Sequence, residues 1–70
     1  MGYVVIELQT NSDGVLGTLV WHYDDEMQAQ SKYHSVLAAA AISTLPRHAA
    51  TMLADDGSYI QHQCFEHGAE

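Results

Sequence analysis

The residues with the most chemical potential in this 70-residue chain lie near its C-terminus, in the pattern His62-x-Cys64-x-x-His67. Imidazole nitrogen and thiolate sulfur are zinc ligands, and on a β-strand His62 and Cys64 would point to the same face. The spacing is not a standard zinc motif, and a structural site would need a fourth ligand. A buried cysteine and scattered surface histidines explain the same residues. We therefore predict no metal or other cofactor, with His62, Cys64 and His67 as the candidate ligands if one binds.

Catalytic machinery is not indicated elsewhere in the chain. Cys64 could act as a nucleophile only with a histidine placed to take its proton, and histidines on the same strand rarely have that geometry. The glycines are isolated and match no nucleotide-binding fingerprint. The carboxylate pairs Asp24-Asp25 and Asp55-Asp56 are explained by a helix N-terminus and by a turn. We therefore expect a protein that is not an enzyme.

The charge balance predicts which partners the chain avoids. Nine acidic residues against Lys32 and Arg47 give a formal net charge of -7, which has the wrong sign for binding phosphates or anionic membranes directly. Such a charge steers a protein toward basic protein surfaces. The predicted partner-binding residues are Asp24, Asp25, Glu26, Asp55 and Asp56. No secretory signal and no apolar run near the ~20 residues of a membrane span are present, which favours a cytoplasmic location.

The short chain must position these groups with a small core. Seventy residues form a single domain, 1–70, that buries only about 60% of the surface of its unfolded form. One cysteine excludes an intrachain disulfide, which leaves oligomerisation, most simply a dimer, or a histidine-rich metal site to supply the missing stability.

The pattern of apolar residues and breakers predicts an α+β fold. The elements in chain order are a strand at 3–10, a strand at 15–23, a helix at 26–43, a strand at 47–54, a strand at 59–65 and a frayed tail at 66–70. Asp25 is placed to cap the helix N-terminus, and Pro46 prevents the helix from continuing. The ββαββ order predicts a four-stranded antiparallel sheet with the helix packed on one face, with the strand order left open.

The first hairpin sets which strand residues face the core. A four-residue loop at 11–14 would place Thr10 opposite Val15 and put Ile6 and Trp21 on the core face. The reverse face would then carry Tyr3, Val5 and Val20, which is apolar for a surface that meets only water. A one-residue slip would exchange the two faces of the second strand.

The helix has a sheet-facing stripe and an unusual opposite side. The stripe consists of Ala29, Tyr33, Val36, Leu37, Ala40 and Thr44. In its second half the opposite side is Ala38, Ala39 and Ile42, where polar residues would be expected. High helix propensity explains alanine on a solvent face, and a partner helix explains it equally well, so both interpretations stay open. The predicted self-association residues are Ala38, Ala39, Ile42, Tyr3, Val5 and Val20.

Two segments carry a resemblance to a group of proteins. They are Gly2-Tyr3-Val4-Val5-Ile6-Glu7-Leu8-Gln9-Thr10 and Tyr23-Asp24-Asp25-x-x-Gln28-Ala29-x-Ser31-Lys32-Tyr33-His34-Ser35-Val36-Leu37 with the four alanines that follow. Together they resemble small uncharacterised proteins encoded by bacteriophages and prophages of gut bacteria. The resemblance covers about two-thirds of the chain, contains no catalytic motif and implies a role in protein interaction, in the host cytoplasm or in the virion.

The leading functional hypothesis is therefore a non-catalytic, self-associating, phage-type interaction module. Within that class, the acidic groups would occupy the basic nucleic-acid groove of a host defence protein, as an inhibitor. The alternative is a structural component of the virion or of tail assembly. A third class, a metal-responsive or redox protein, would use Cys64 with His62 and His67.

Overall fold

The computed structural model describes residues 2–67, which form one sheet and one helix. The elements are β1 (Tyr3–Thr10), β2 (Leu16–Tyr23), α1 (Glu26–Ala41), β3 (Arg47–Ala54) and β4 (Tyr59–Glu66). All pairings are antiparallel, the strand order is β2-β1-β3-β4, and α1 packs across one face. The predicted α+β class and ββαββ order are confirmed.

Helix α1 begins and packs as its sequence predicts. The Asp25 carboxylate accepts a hydrogen bond of 3.1 Å from the Met27 N–H, which satisfies one of the free amides of the first turn. The predicted stripe packs against the sheet, with Leu37 half-buried, except at Thr44, which lies beyond the end of the helix and is exposed. The helix ends at Ala41, two residues earlier than expected.

The core lies between α1 and the two central strands. It consists of Val5, Ala29, Tyr33, Val36, Ala50 and Met52, and around it pack the half-buried Tyr3, Trp21, Tyr23, Leu37 and Ile60. Burial raises the pKa of the Tyr33 hydroxyl, with a smaller contribution from Tyr59. Alanine at 29 and 50 lets the helix approach the sheet closely.

The first hairpin differs from the predicted register by one residue. The Asn11 N–H donates to the Val15 carbonyl (3.1 Å) and the Gly14 N–H donates to the Asn11 carbonyl (3.0 Å), so the loop has three residues, 12–14. Gly14 has φ +83°, the left-handed conformation that ends such three-residue loops. Thr10 therefore faces Leu16, and the prediction that it faces Val15 was wrong.

Because of this shift, the β1 residues predicted for the reverse face lie on the helix side, and those predicted for the core lie on the other face. Strand β2 keeps its predicted orientation. Val5 lies opposite Trp21 and is fully buried beneath α1, and Tyr3 packs against the same core. The placement of Tyr3 and Val5 on a self-association surface was therefore wrong. Ile6 takes the face that α1 does not cover, although it was predicted to lie in the core.

The second hairpin uses the same kind of loop. Gly57 has φ +89°, its N–H donates to the Ala54 carbonyl, and the Ala54 N–H donates to the Ser58 carbonyl, each at 2.9 Å. The pairing then shifts by one residue between Met52 and Leu53, so that β4 bulges at Ile60.

The prediction of a frayed tail at 66–70 was wrong for its first two residues. Glu66 is the last residue of β4, and the His67 N–H donates to the Pro46 carbonyl. Residues 68–70 lie outside the described residues.

The loop geometry predicts opposite effects at two glycines of the first hairpin. Gly14→Ala should lower the free energy of unfolding by about 1 kcal/mol, because its Cβ would meet no atom within 4 Å and only the left-handed backbone opposes it. Gly17→Ala, in the regular part of β2, is the matched control and should be neutral or slightly stabilising. Urea unfolding of both variants checks this, and equal effects at the two positions would contradict the assigned loop.

Candidate functional site

The sheet face opposite α1, here called the open face, has no covering element within residues 2–67. The strand registers place on it Leu16, Thr18, Val20 and His22 from β2, Val4, Ile6, Leu8 and Thr10 from β1, Arg47, Ala49, Thr51 and Leu53 from β3, and Tyr59, His62, Cys64 and Glu66 from β4. Five of its eight residues on β1 and β2 are aliphatic, and its β4 side is polar.

The most exposed aliphatic groups of the open face lie on the edge strand β2. Leu16 and Val20 are 58% and 60% exposed. The charged groups of this face, Arg47 and Glu66, form an ion pair of 3.3 Å at the opposite corner. Such an arrangement suits contact with another protein, since large exposed apolar patches mark interaction sites.

The helix surface proposed for self-association is also accessible. Ala38 and Ala39 are exposed, and Ile42 at the helix C-terminus is 85% exposed. Val20, predicted for the same role, lies on the open face. The predicted self-association residues thus fall into two separate surfaces, with Tyr3 and Val5 belonging to neither.

The predicted partner-binding carboxylates are brought to one end of the sheet. At this end β2 leads into α1 and β3 leads into β4, so the group Asp24, Asp25, Glu26, Asp55 and Asp56 forms an acidic end. Some of these groups also stabilise the fold: Asp25 caps α1, and the Asp55 carboxylate accepts from the Gly2 N–H at 2.7 Å. Hydrogen bonds from the Ser58 hydroxyl and N–H lower the pKa of Asp56.

The candidate metal ligands are not brought together. His62 and Cys64 lie on the open face, where the His62 Nδ1 is 3.2 Å from the Tyr59 hydroxyl. The His67 ring stacks on Phe65, and its Nε2 donates to the Ala40 carbonyl at 2.7 Å, on the helix side of the sheet. Cys64 is exposed, so its predicted burial was wrong. Among the described residues no group of three or more His, Cys, Asp or Glu side chains could hold a metal ion.

A buried polar cluster beneath the helix was missed by the sequence interpretation. The His48 Nε2 contacts the Glu7 Oε2, which also accepts a hydrogen bond of 2.8 Å from the Gln9 amide. Glu7 and His48 are both buried, and the His48 Nδ1 has no hydrogen-bond partner. The predicted register of the first hairpin would put Glu7 on the reverse face of the sheet, away from α1. The observed strand pairing indicates the cluster, because it places the side chains of Glu7, Gln9 and His48 on the same face of the sheet.

A shallow depression of about 340 Å³ lies between α1 and the edge strand β2. It is lined by Tyr23, Gln28, Ser31, Lys32 and Ser35. The Lys32 Nζ lies 4.0 Å from the centre of the Trp21 ring, a cation–π contact that covers part of the indole. Hydroxyl, amide and ammonium groups can hydrogen-bond a partner here, but the lining contains no nucleophile paired with a base.

Comparisons with protein-family models, curated proteins and solved structures found no significant match to this chain. Within residues 2–67, no helix has the length and apolar character needed to cross a membrane. The exposed surfaces of the protein are therefore the basis for assigning it a function.

The buried Glu7–His48 contact predicts a large difference between single and double replacement. His48→Leu should lower the free energy of unfolding by about 3 kcal/mol, because it leaves a buried carboxylate short of a partner. Glu7→Met combined with His48→Leu should recover most of that loss, since no charge is then buried.

The exposed ion pair of Arg47 and Glu66 provides the control for this experiment. Arg47→Ala should cost no more than about 0.5 kcal/mol, because both side chains are largely in solvent. Urea unfolding of the variants gives the comparison. A double variant no more stable than His48→Leu alone would contradict this account of the cluster.

Proposed function

We propose that this chain is a non-catalytic, self-associating protein-interaction module of the kind that phages encode. The observation that carries the proposal is the apolar open face, which α1 leaves uncovered. Four strands about 4.8 Å apart and eight residues long, at about 3.3 Å per residue, span roughly 500 Å² in projection. The half of this area that belongs to β1 and β2, about 250 Å², carries most of the aliphatic residues, and exposed apolar patches of a few hundred Å² are often interaction sites.

The acidic end indicates which class of partner the module binds. Five carboxylates at one end of a chain with a net charge of -7 attract basic surfaces and repel nucleic acid. The partner we propose is a host defence protein whose basic nucleic-acid groove the acidic end occupies, which places the action in the host cytoplasm. Long-range attraction would accelerate association, and the apolar surface would slow dissociation.

A virion or tail-assembly component is the second candidate function. Two separate exposed apolar surfaces, the open face and the helix surface at Ile42, favour it, because contacts through two different surfaces can link many copies. Discrete, salt-independent particles of many copies would support this function, whereas a small oligomer that binds a basic protein supports the inhibitor.

Self-association is tested by light scattering on purified protein over a range of concentrations. We expect an oligomer that Val20→Glu weakens by at least about tenfold, because a carboxylate would be buried in an apolar contact. Ile42→Glu, at a more exposed apolar position beside the helix C-terminus, is the control and should behave as the wild type. A wild-type monomer would refute self-association, and disruption by Ile42→Glu alone would place the contact on the helix.

The role of the acidic end is tested by charge reversal. Asp24→Lys with Asp56→Lys should weaken binding to a basic nucleic-acid-binding host nuclease, and added salt should weaken wild-type binding, because the attraction is Coulombic. Asp13→Lys with Glu66→Lys changes the same charge at the other end and should have a smaller effect. Biolayer interferometry at low and high salt measures both, and binding insensitive to salt and reversal would contradict the mechanism.

A further inference from the structure

The edge strand β2 is exposed on both of its faces. Among the described residues, four of the seven large hydrophobic side chains that stay exposed are on β2 or directly before it: Val15, Leu16, Leu19 and Val20. Leu16 and Val20 lie on the open face, whereas Leu19 lies on the helix side and is 49% exposed. A partner lying flat on the open face would leave Leu19 in water. A partner that continues the sheet beyond β2 covers both sides of the strand.

The backbone of β2 is free to accept such a partner. The hydrogen bond from the Asn11 N–H to the Val15 carbonyl makes these two residues a hydrogen-bonded pair. In an antiparallel ladder hydrogen-bonded and non-hydrogen-bonded pairs alternate, so every second residue of β2 from this point bonds to β1. Gly17, Leu19, Trp21 and Tyr23 bond to β1. The N–H and C=O groups of Leu16, Thr18, Val20 and His22 point outward.

The two edges of the sheet differ in their protection. Strand β2 contains no Asp, Glu, Lys, Arg or Pro, which are the residues that usually block pairing between edges. Strand β4 carries a bulge at Ile60 and the charged Glu66. Pairing through β2 alone therefore closes at a dimer instead of extending into a filament.

We propose that β2 pairs antiparallel with β2 of a second copy, about a two-fold axis at Leu19, and joins two four-stranded sheets into one of eight strands. The inference rests on the proposed self-association and names its site. This register pairs Leu16 with His22 of the second copy and Thr18 with its Val20, so all four outward-pointing residues of each strand form ladder hydrogen bonds. A shift by two residues would leave one of the four unpaired.

The same register also brings the exposed apolar side chains of β2 into contact with the second copy. Leu19 meets Leu19 of the second copy on the helix side, and Val15 of the second copy lies opposite Tyr23, beside the depression along α1. Val20 and Leu16 gain neighbours on the open face. The hydrophobic residues exposed on each copy thus cover one another.

Charge supports a second copy in this antiparallel orientation. Each chain has a net charge of -7, so two copies repel, and the repulsion is weaker when their acidic ends stay apart. Antiparallel pairing of β2 places the acidic end of one copy beside the loop 11–15 of the other, at an end of the sheet where Asp13 and the ion pair of Arg47 with Glu66 leave less net negative charge. Parallel pairing would bring the two acidic ends together.

Disulfide trapping tests the register. In the Cys64→Ser background, Leu19→Cys should form an intermolecular disulfide under mild oxidation, because residues on the two-fold axis of a non-hydrogen-bonded pair have Cα atoms about 4.5 Å apart. Ile42→Cys in the same background, an exposed position away from β2, is the control and should not form a dimer at the same protein concentration.

A proline substitution tests the backbone contact. Thr18→Pro removes an N–H that points away from β1, so each copy should fold while the dissociation constant of the dimer rises roughly 50-fold or more. Thr18→Ala retains the N–H and should dimerise within a few-fold of the wild type. Circular dichroism confirms folding, and if Thr18→Pro does not fold, Thr18→Lys replaces it, because lysine on an edge strand also opposes pairing.

The outcomes separate this inference from the proposed function. A dimer that Leu19→Cys traps and that Thr18→Pro dissociates supports the edge contact. A wild-type oligomer that Thr18→Pro and Thr18→Lys leave intact, with no trapping at position 19, overturns it and leaves self-association in place through another surface. A wild-type monomer refutes both.

Discussion

The packing of α1 against Val5, Ala50 and Met52 is the interaction on which the rest of the structure depends. It joins the two hairpins, because Val5 comes from β1 and the other two residues come from β3. A helix of 16 residues can cover only one face of a four-stranded sheet, so the same packing that makes the core leaves the open face, with the aliphatic residues of β1 and β2, uncovered. The exposed surfaces of this small protein are therefore a direct consequence of how its core is built.

Much of the architecture could be predicted from local patterns. The strand and helix positions, the Asp25 cap and the buried helix stripe follow from periodicity and capping, which depend on neighbouring residues. The hairpin register could not be predicted, because Asn-Ser-Asp-Gly is compatible with loops of three or four residues and the choice depends on how Gly14 is used. That one-residue difference determines that Tyr3 and Val5 face the core instead of the opposite side of the sheet.

The same difference explains why the polar cluster was missed. Glu7 alternates with apolar residues as a solvent-facing side chain would, and only the pairing with β3 reveals that His48 is beside it under the helix. The grouping of acidic residues was easier to anticipate, since those residues occupy a helix start and a turn. Their meeting at one end of the sheet nevertheless required the strand order, which the sequence left open.

The similar loops of the two hairpins have a consequence for how the chain folds. Each hairpin pairs neighbouring segments through an Asp-Gly loop, so each can form early with little loss of chain entropy. The pairing of β1 with β3 must bring distant segments together and closes a loop of chain that contains β2 and α1. We expect the docking of two preformed hairpins to limit the folding rate, with the intermediates exposing the inner strands to aggregation until docking is complete.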